Sequence, residues 1–152
     1  MKIIVGNDHA GVELKQAVVR HLTERGFAVH DLGVGPGEKA DYPDIAEALA
    51  LKVAEHSYDL GILICGTGIG MSMAANRIRG VRAAATSSAF GAKFCRAHND
   101  ANVLCLGQRI LGEGEALLLV DLFVDTPFDT VNERHRKRIG LIDAIDKKNK
   151  GE

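Results

Sequence analysis

The sequence predicts an α/β protein, five parallel strands in one doubly wound sheet between helical layers, an α/β/α sandwich. Two observations predict it. Short apolar runs alternate along the chain with segments whose apolar residues recur at helical spacing. Most of these runs end in turns rich in glycine or polar residues, and this alternation specifies β-α-β units with right-handed crossovers. The architecture is Rossmann-like, and in such sheets ligands sit at the carboxyl ends of the strands where the winding reverses.

Ile3–Gly6 reads as the first strand and Gly6-Asn7-Asp8-His9-Ala10-Gly11 as the turn after it. A helix follows from about Ala10 to Arg25, with Leu14, Ala17, Val18 and Leu22 on its apolar face and Gly26 as its stop. Phe27–Leu32 is the second strand and Gly33–Asp41 a loop. Tyr42-Pro43-Asp44 opens a helix to about His56, Pro43 being suited to a first turn. Ile62, Leu63 and Ile64 form a buried third strand ending at Cys65, followed by the turn Gly66-Thr67-Gly68-Ile69-Gly70 and a helix from about Met71. Gly80–Ala85 is a weak fourth strand, and Ser87 or Ser88 caps a helix running to Ala97.

His98-Asn99-Asp100-Ala101 reads as a polar turn that, unlike the others, precedes a strand, Asn102–Leu106. A helix spans about Glu113–Val124, with Pro127 marking its break. Thr130-Val131-Asn132-Glu133 has capping-box spacing for a last helix from Val131 to about Lys147, and the charged tail Lys147–Glu152 is expected to fray. The expected strand order is 2-1-3-4-5, which makes strands one and three neighbours at the switch point.

The 152 residues are read as one domain, 1–152, long enough to bury a core. A formal net charge of −1 and few aromatics give no reason to expect nucleic-acid binding. No apolar run nears the ~20 residues of a membrane helix, and the N-terminus reads as a strand rather than a signal peptide. Cys65, Cys95 and Cys105 are odd in number and lack C-x-x-C spacing, which points to a reduced, cytoplasmic protein.

Cys65 ends a strand ahead of free turn amides and a helix start, where the thiolate form is favoured, so it is a candidate nucleophile or base. Its alternative is a small buried hydrophobe. Gly66-x-Gly68-x-Gly70 is neither G-x-G-x-x-G nor a P-loop, so nucleotide binding is unsupported. The scattered histidines give no metal-ligand spacing, and no metal or other cofactor is expected. Asp8 and His9 taken alone are ordinary turn residues, but they share a sheet edge with Cys65. Arg134 and Arg138, four apart on one helix face, can grip one anion together or form a solvated basic face.

Taken together, Asp8-His9-Ala10-Gly11, Tyr42-Pro43-Asp44, Cys65 through Gly70, His98-Asn99-Asp100-Ala101-Asn102 and Arg134-His135-x-x-Arg138 resemble the ribose/galactose sugar-phosphate isomerase family, in particular its type B ribose-5-phosphate isomerases. The resemblance is collinear over nearly the whole chain. It implies interconversion of ribose 5-phosphate and ribulose 5-phosphate through a cis-enediolate. Cys65 would be the proton-transfer base, Gly66, Gly68 and Gly70 would offer N–H groups to the enediolate oxygen, and Thr67 would assist at the oxygens. His98 would open the sugar ring, with Asp8, Tyr42 and Asn99 among the substrate-binding residues. His9, Arg109, Arg134 and Arg138 would bind the phosphate.

The resemblance also implies a homodimer or tetramer whose site is shared at the subunit interface, with His98 and Arg109 presented to the partner's Cys65. Alternatives are the same chemistry on allose 6-phosphate, galactose 6-phosphate or a tetrose phosphate, and a non-catalytic sugar-phosphate-binding module. The chain departs from the family pattern at Asn7, where a small or sulfur residue is common, and at Phe128–Glu133, which lacks the usual Glu-Gly-Gly.

Overall fold

The computed structural model describes residues 1–149. In chain order it comprises β1 (Lys2–Asn7), α1 (Val12–Glu24), β2 (Ala28–Asp31), α2 (Tyr42–Ala54), β3 (Leu60–Cys65), α3 (Ile69–Ala75), β4 (Ala83–Ala85), α4 (Ala89–Asn99), β5 (Val103–Gly107), α5 (Glu113–Asp125) and α6 (Glu133–Asn149). Every strand pairing is parallel.

The period-two alternation of each strand sorts its side chains between two cores. Ile3, Val5, Ile62, Ile64, Leu104 and Leu106 face one side, packed by α1, α5 and Ala92 of α4. Ile4, Leu63, Cys65, Val103 and Cys105 face the other, packed by Leu49 and Val53 of α2 and Met71 and Ala75 of α3. The result is the expected three-layer α/β/α sandwich. α1 is held by its stripe of Leu14, Ala17, Val18 and Leu22 at helical spacing.

The strand order corrects the expectation: it is β2-β1-β3-β5-β4, not 2-1-3-4-5. β5 (VLCLG) is buried along its whole length, and each apolar side chain fully removed from water contributes about 1.5–3 kcal/mol, so it takes the place beside β3. β4 is three partly exposed alanines and can offer little to a central position, so it lies at the edge. It is also shorter than the expected Gly80–Ala85, because Gly80 turns with φ +82°. β1 and β3 remain neighbours, so the switch point is unchanged.

Two further elements differ. α4 runs on through His98 and Asn99, which form its last turn rather than a loop, and Asp100 closes it in the left-handed region. The capping box at Thr130 does not form. Asp129 instead receives the N–H groups of Val131 and Asn132, Asn132 receives that of Arg134, and α6 starts at Glu133. Of the charged tail, Lys147 to Asn149 complete α6, while 150–152 lie outside the described residues. Ser88, of the two serines considered, is the cap of α4, accepting the Gly91 N–H at 3.0 Å. Among the described residues no helix is long and apolar enough to cross a membrane.

If β5 is the interior strand, Leu104→Ala should lower the unfolding free energy by about 2–5 kcal/mol in urea titrations, the range for a cavity at a fully buried leucine. A loss below about 1 kcal/mol would indicate an edge position.

Candidate active site

The carboxyl ends of β1, β3 and β5 meet at one edge of the sheet, and the turns after them carry most of the residues singled out from the sequence. The Cys65 side chain is buried at the end of β3, and its Sγ accepts the N–H of Gly68 at 3.1 Å. That contact requires the turn to fold back tightly on β5. Gly68 has φ +78°, and a Cβ on it would stand 3.0 Å from the Cys105 backbone. Gly107 completes the approach from the other side, since a Cβ there would stand 2.7 Å from the Cα of Thr67. The Gly66 carbonyl accepts the Arg109 N–H at 3.0 Å and the Cys65 carbonyl that of Gln108 at 2.9 Å, so the turns after β3 and β5 are bonded together.

Among the described residues, no hydrogen bond occupies the N–H groups of Gly66 and Gly70. They remain donors at the mouth of the turn. Thr67 is exposed, and its Oγ1 accepts the Ile69 N–H at 3.3 Å. The three cysteines differ in environment. Burial pushes the Cys105 thiol well above its ordinary range, and the nearby Cys65 acts in the same direction. Burial also raises Cys95. Both are held as thiols at neutral pH, and Cys65 is the one that receives a turn amide.

Asp8 is buried, with Oδ1 accepting the Ala10 N–H at 2.9 Å and its own N–H donated to Ile64 O, which fastens the β1 turn to β3. His9 is exposed, with Nδ1 3.3 Å from Ala40 O in the 33–41 loop. Tyr42 opens α2, its ring so close to Gly70 that a Cβ there would stand 2.8 Å from it. The Arg109 side chain runs along Gly66 of its own chain, about 3.4 Å from where that residue's Cβ would be. The resemblance implies presentation to a partner instead. Asp8, His9, Tyr42, Cys65, Gly66, Thr67, Gly68, Gly70 and Arg109 are thus brought to one edge.

His98, Asn99, Arg134 and Arg138 are not among them. α4 begins at the carboxyl edge and ends at the opposite one, eleven residues or about 16 Å away, so His98 lies far from Cys65 along the strands. It also lies on the other face, since α4 packs against the α1/α5 side and Cys65 faces α2 and α3. Asn99 is exposed and borders a cavity of about 400 Å³ with Arg82, Ile142 and Asp146. Arg134 and Arg138 are exposed on the first turns of α6, and Arg134 flanks a concavity with Glu133, Arg136 and Lys137. No hydrogen bond, ion pair or ring contact joins the two groups among the described residues.

Two features escaped the sequence reading. A pocket of about 340 Å³ beside Thr67 and Ile69 is walled by Thr86, Ser87 and Ser88 of the turn after β4. Ser87 and Ser88 carried only a capping signal, and the parallel pairing of β4 with β5 brings the turn after β4 to this same edge. The second is His135, buried under the end of α4 with its ring stacked on His98, centroids 4.3 Å apart. No group of three or more His, Cys, Asp or Glu side chains among the described residues is arranged to hold a metal ion.

Gly68→Ala should force a side chain into the left-handed region and against β5, costing about 1–3 kcal/mol of stability and drawing the amide away from Cys65. Thermal unfolding would register the first effect, and slower alkylation of Cys65 in the native protein the second. Unchanged values of both would mean that the turn tolerates a Cβ.

The profile of a family described as Ribose/Galactose Isomerase matches residues 3–142. The ribose-5-phosphate isomerase B of Escherichia coli is 44% identical over 147 residues, 97% of each chain. Among solved structures, the ribose-5-phosphate isomerase B of Clostridium thermocellum superposes with a TM-score of 0.94 at 43% identity, covering 98% of this chain and 99% of its own. That of Mycoplasma genitalium with bound ribulose-5-phosphate gives a TM-score of 0.88 at 43% identity, covering 96% of each.

Proposed function

The chain belongs to the ribose/galactose isomerase family, and from that premise we propose that it interconverts ribose 5-phosphate and ribulose 5-phosphate, with Cys65 as the proton-transfer base. The observation that carries this reading is the Cys65 sulfur held by the Gly68 N–H beside the unoccupied N–H groups of Gly66 and Gly70. The mycoplasmal relative holding ribulose-5-phosphate supports the choice of substrate.

In the open-chain aldose, the Cys65 thiolate takes the proton from C2. The electron pair forms the C1–C2 double bond and the C1 carbonyl oxygen becomes an enediolate oxygen, stabilised by the turn amides. The thiol then returns the proton to C1, while a proton passes from O2 to O1 with the help of Thr67, leaving the ketone at C2. Asp8 and Tyr42 hold sugar hydroxyls, joined by Asn99. His9, Arg134 and Arg138 neutralise the phosphate, and Arg109 adds a cation at the Gly66 turn. His98 moves the proton that opens the furanose.

The site then draws on two chains. The topology supports this, since His98 and Cys65 of one chain lie at opposite edges and on opposite faces of the sheet. Exposed apolar side chains support it too: Phe90 and Met73 are 72% and 63% exposed, and Ile110 lies near the site edge. Their desolvation in a dimer would favour association. A cytoplasmic enzyme of 1–152 acting as a homodimer, or as a tetramer of such dimers, is the corresponding assembly.

A coupled assay with ribose 5-phosphate, run beside allose 6-phosphate, galactose 6-phosphate and a tetrose phosphate, tests the substrate. Turnover should be fastest on ribose 5-phosphate; preference for a six-carbon phosphate would move the reading to that sugar, and no turnover on any would leave a binding module. Cys65→Ala should cut turnover by about two to four orders of magnitude with the fold intact. Retention of more than roughly a tenth would remove Cys65 as the base. Arg134→Ala and Arg138→Ala should each weaken binding about 10- to 100-fold, seen largely in KM, as expected for losing a charge-assisted contact.

A further inference from the structure

Resting on the reading of His98 as the ring-opening residue, we infer that His135 is a positioning residue that fixes the plane of the His98 imidazole. An acid–base histidine must aim one nitrogen at a fixed point, and a hydrogen bond to its other nitrogen normally does this. Neither ring nitrogen of His98 is hydrogen-bonded among the described residues. What meets the ring is aromatic: Phe94, one helical turn earlier, lies at 4.7 Å and a 43° tilt, and His135 stacks on it at 4.3 Å and 13°. The near-parallel stack restrains the tilt of the His98 ring and leaves its edges free for substrate.

His135 is itself anchored. It is the one buried side chain among the described residues of α6. Its N–H is donated to Asn132 O, and its Nε2 stands 3.7 Å from Asp129 Oδ2, beyond hydrogen-bond distance. Asp129 ties this assembly to α4 by donating its N–H to Ala97 O at 2.9 Å, one residue before His98. It also accepts the N–H groups of Val131 and Asn132 that shape the entry to α6. The segment that departs from the family pattern thus anchors the residue that stacks on the His98 ring.

The substrates separate ring chemistry from proton transfer. Ribose 5-phosphate cyclises through O4 onto C1. Ribulose 5-phosphate cannot form a furanose, because O5 is esterified. In D2O the base can remove a C1 proton of ribulose 5-phosphate and return a deuteron without any ring step. A brace on His98 therefore affects net conversion and spares this exchange.

The test compares His135→Phe, which keeps an aromatic plane, with His135→Gln, which keeps bulk and a polar end but has no plane. His98→Asn serves as reference. Saturated turnover of ribose 5-phosphate should fall about tenfold in His135→Gln, the scale of a misaimed catalytic group, while deuterium wash-in to ribulose 5-phosphate and KM stay near wild type. His135→Phe should retain at least about half of the turnover, and His98→Asn should show the same selective loss as His135→Gln, more deeply.

Selective loss in His98→Asn with none in His135→Gln, or equal loss in Gln and Phe variants, would overturn the brace and leave the reading of His98 standing. A KM increase in both with turnover intact would make His135 a phosphate ligand and overturn it. Parallel loss of conversion and exchange in both, with a lowered melting temperature, would reduce His135 to an anchor for α6. If His98→Asn lost exchange and conversion alike, the reading of His98 itself would fall, and the inference with it.

Discussion

The common direction of the five strands is the constraint on which the remaining structure depends. Because every pairing is parallel, the turns that follow β1, β3 and β5 must gather at one edge, and each crossover helix must carry the chain back to the other. Asp8, Cys65 and Arg109 are neighbours for that reason although they are far apart in sequence. His98 is excluded from them for the same reason, since it ends a helix returning to the amino edge. A reaction that needs both residues at one sugar therefore requires a second copy of the chain.

At the edge itself, glycine is what allows two turns to occupy the same small volume. Gly68, in the left-handed region, and Gly107, where a Cβ would stand 2.7 Å from Thr67, let the loop after β3 lie on the end of β5, and this aims the Gly68 N–H at the Cys65 sulfur. The surrounding thiols are unsuited to acid–base work: Cys105, held neutral by burial, packs in the core under the same turn. Backbone shape thus sets the one turn amide that Cys65 receives, with the Arg109 side chain alongside Gly66.

Much of this was legible in the sequence. Continuous apolar runs such as Ile62-Leu63-Ile64 mark interior strands, and the Gly66–Gly70 turn marks the carboxyl end of β3, because local composition alone determines those features. Strand order was not legible in the same way. β4 and β5 follow one another in the chain, and only the comparison of three alanines with a fully buried VLCLG run decides which enters the interior. His98-Asn99 looked like loop because polar residues at a helix end and in a turn have the same composition, and hydrogen bonding of the last turn of α4 was the missing information. Thr130 matched a capping spacing, but Asp129, bonded to Ala97 O, offered a better-placed acceptor and moved the helix start. His135 entered only as part of the Arg134-His135-x-x-Arg138 motif, with no signal of its burial: a histidine amid arginines on a polar helix reads as surface until tertiary packing buries it against α4.

The central claim is that one site takes its base from one chain and its ring-opening histidine from another. The most direct measurement mixes two inactive proteins, Cys65→Ala and His98→Asn, after verified subunit exchange. In a hybrid dimer one site contains wild-type Cys65 and wild-type His98, and the other contains neither. With half the dimers hybrid and one of two sites intact in each, turnover on ribose 5-phosphate should recover to about a quarter of the wild-type value per chain. No recovery in a mixture shown to contain hybrids would mean that Cys65 and His98 of a single chain serve the same site, and would contradict the account.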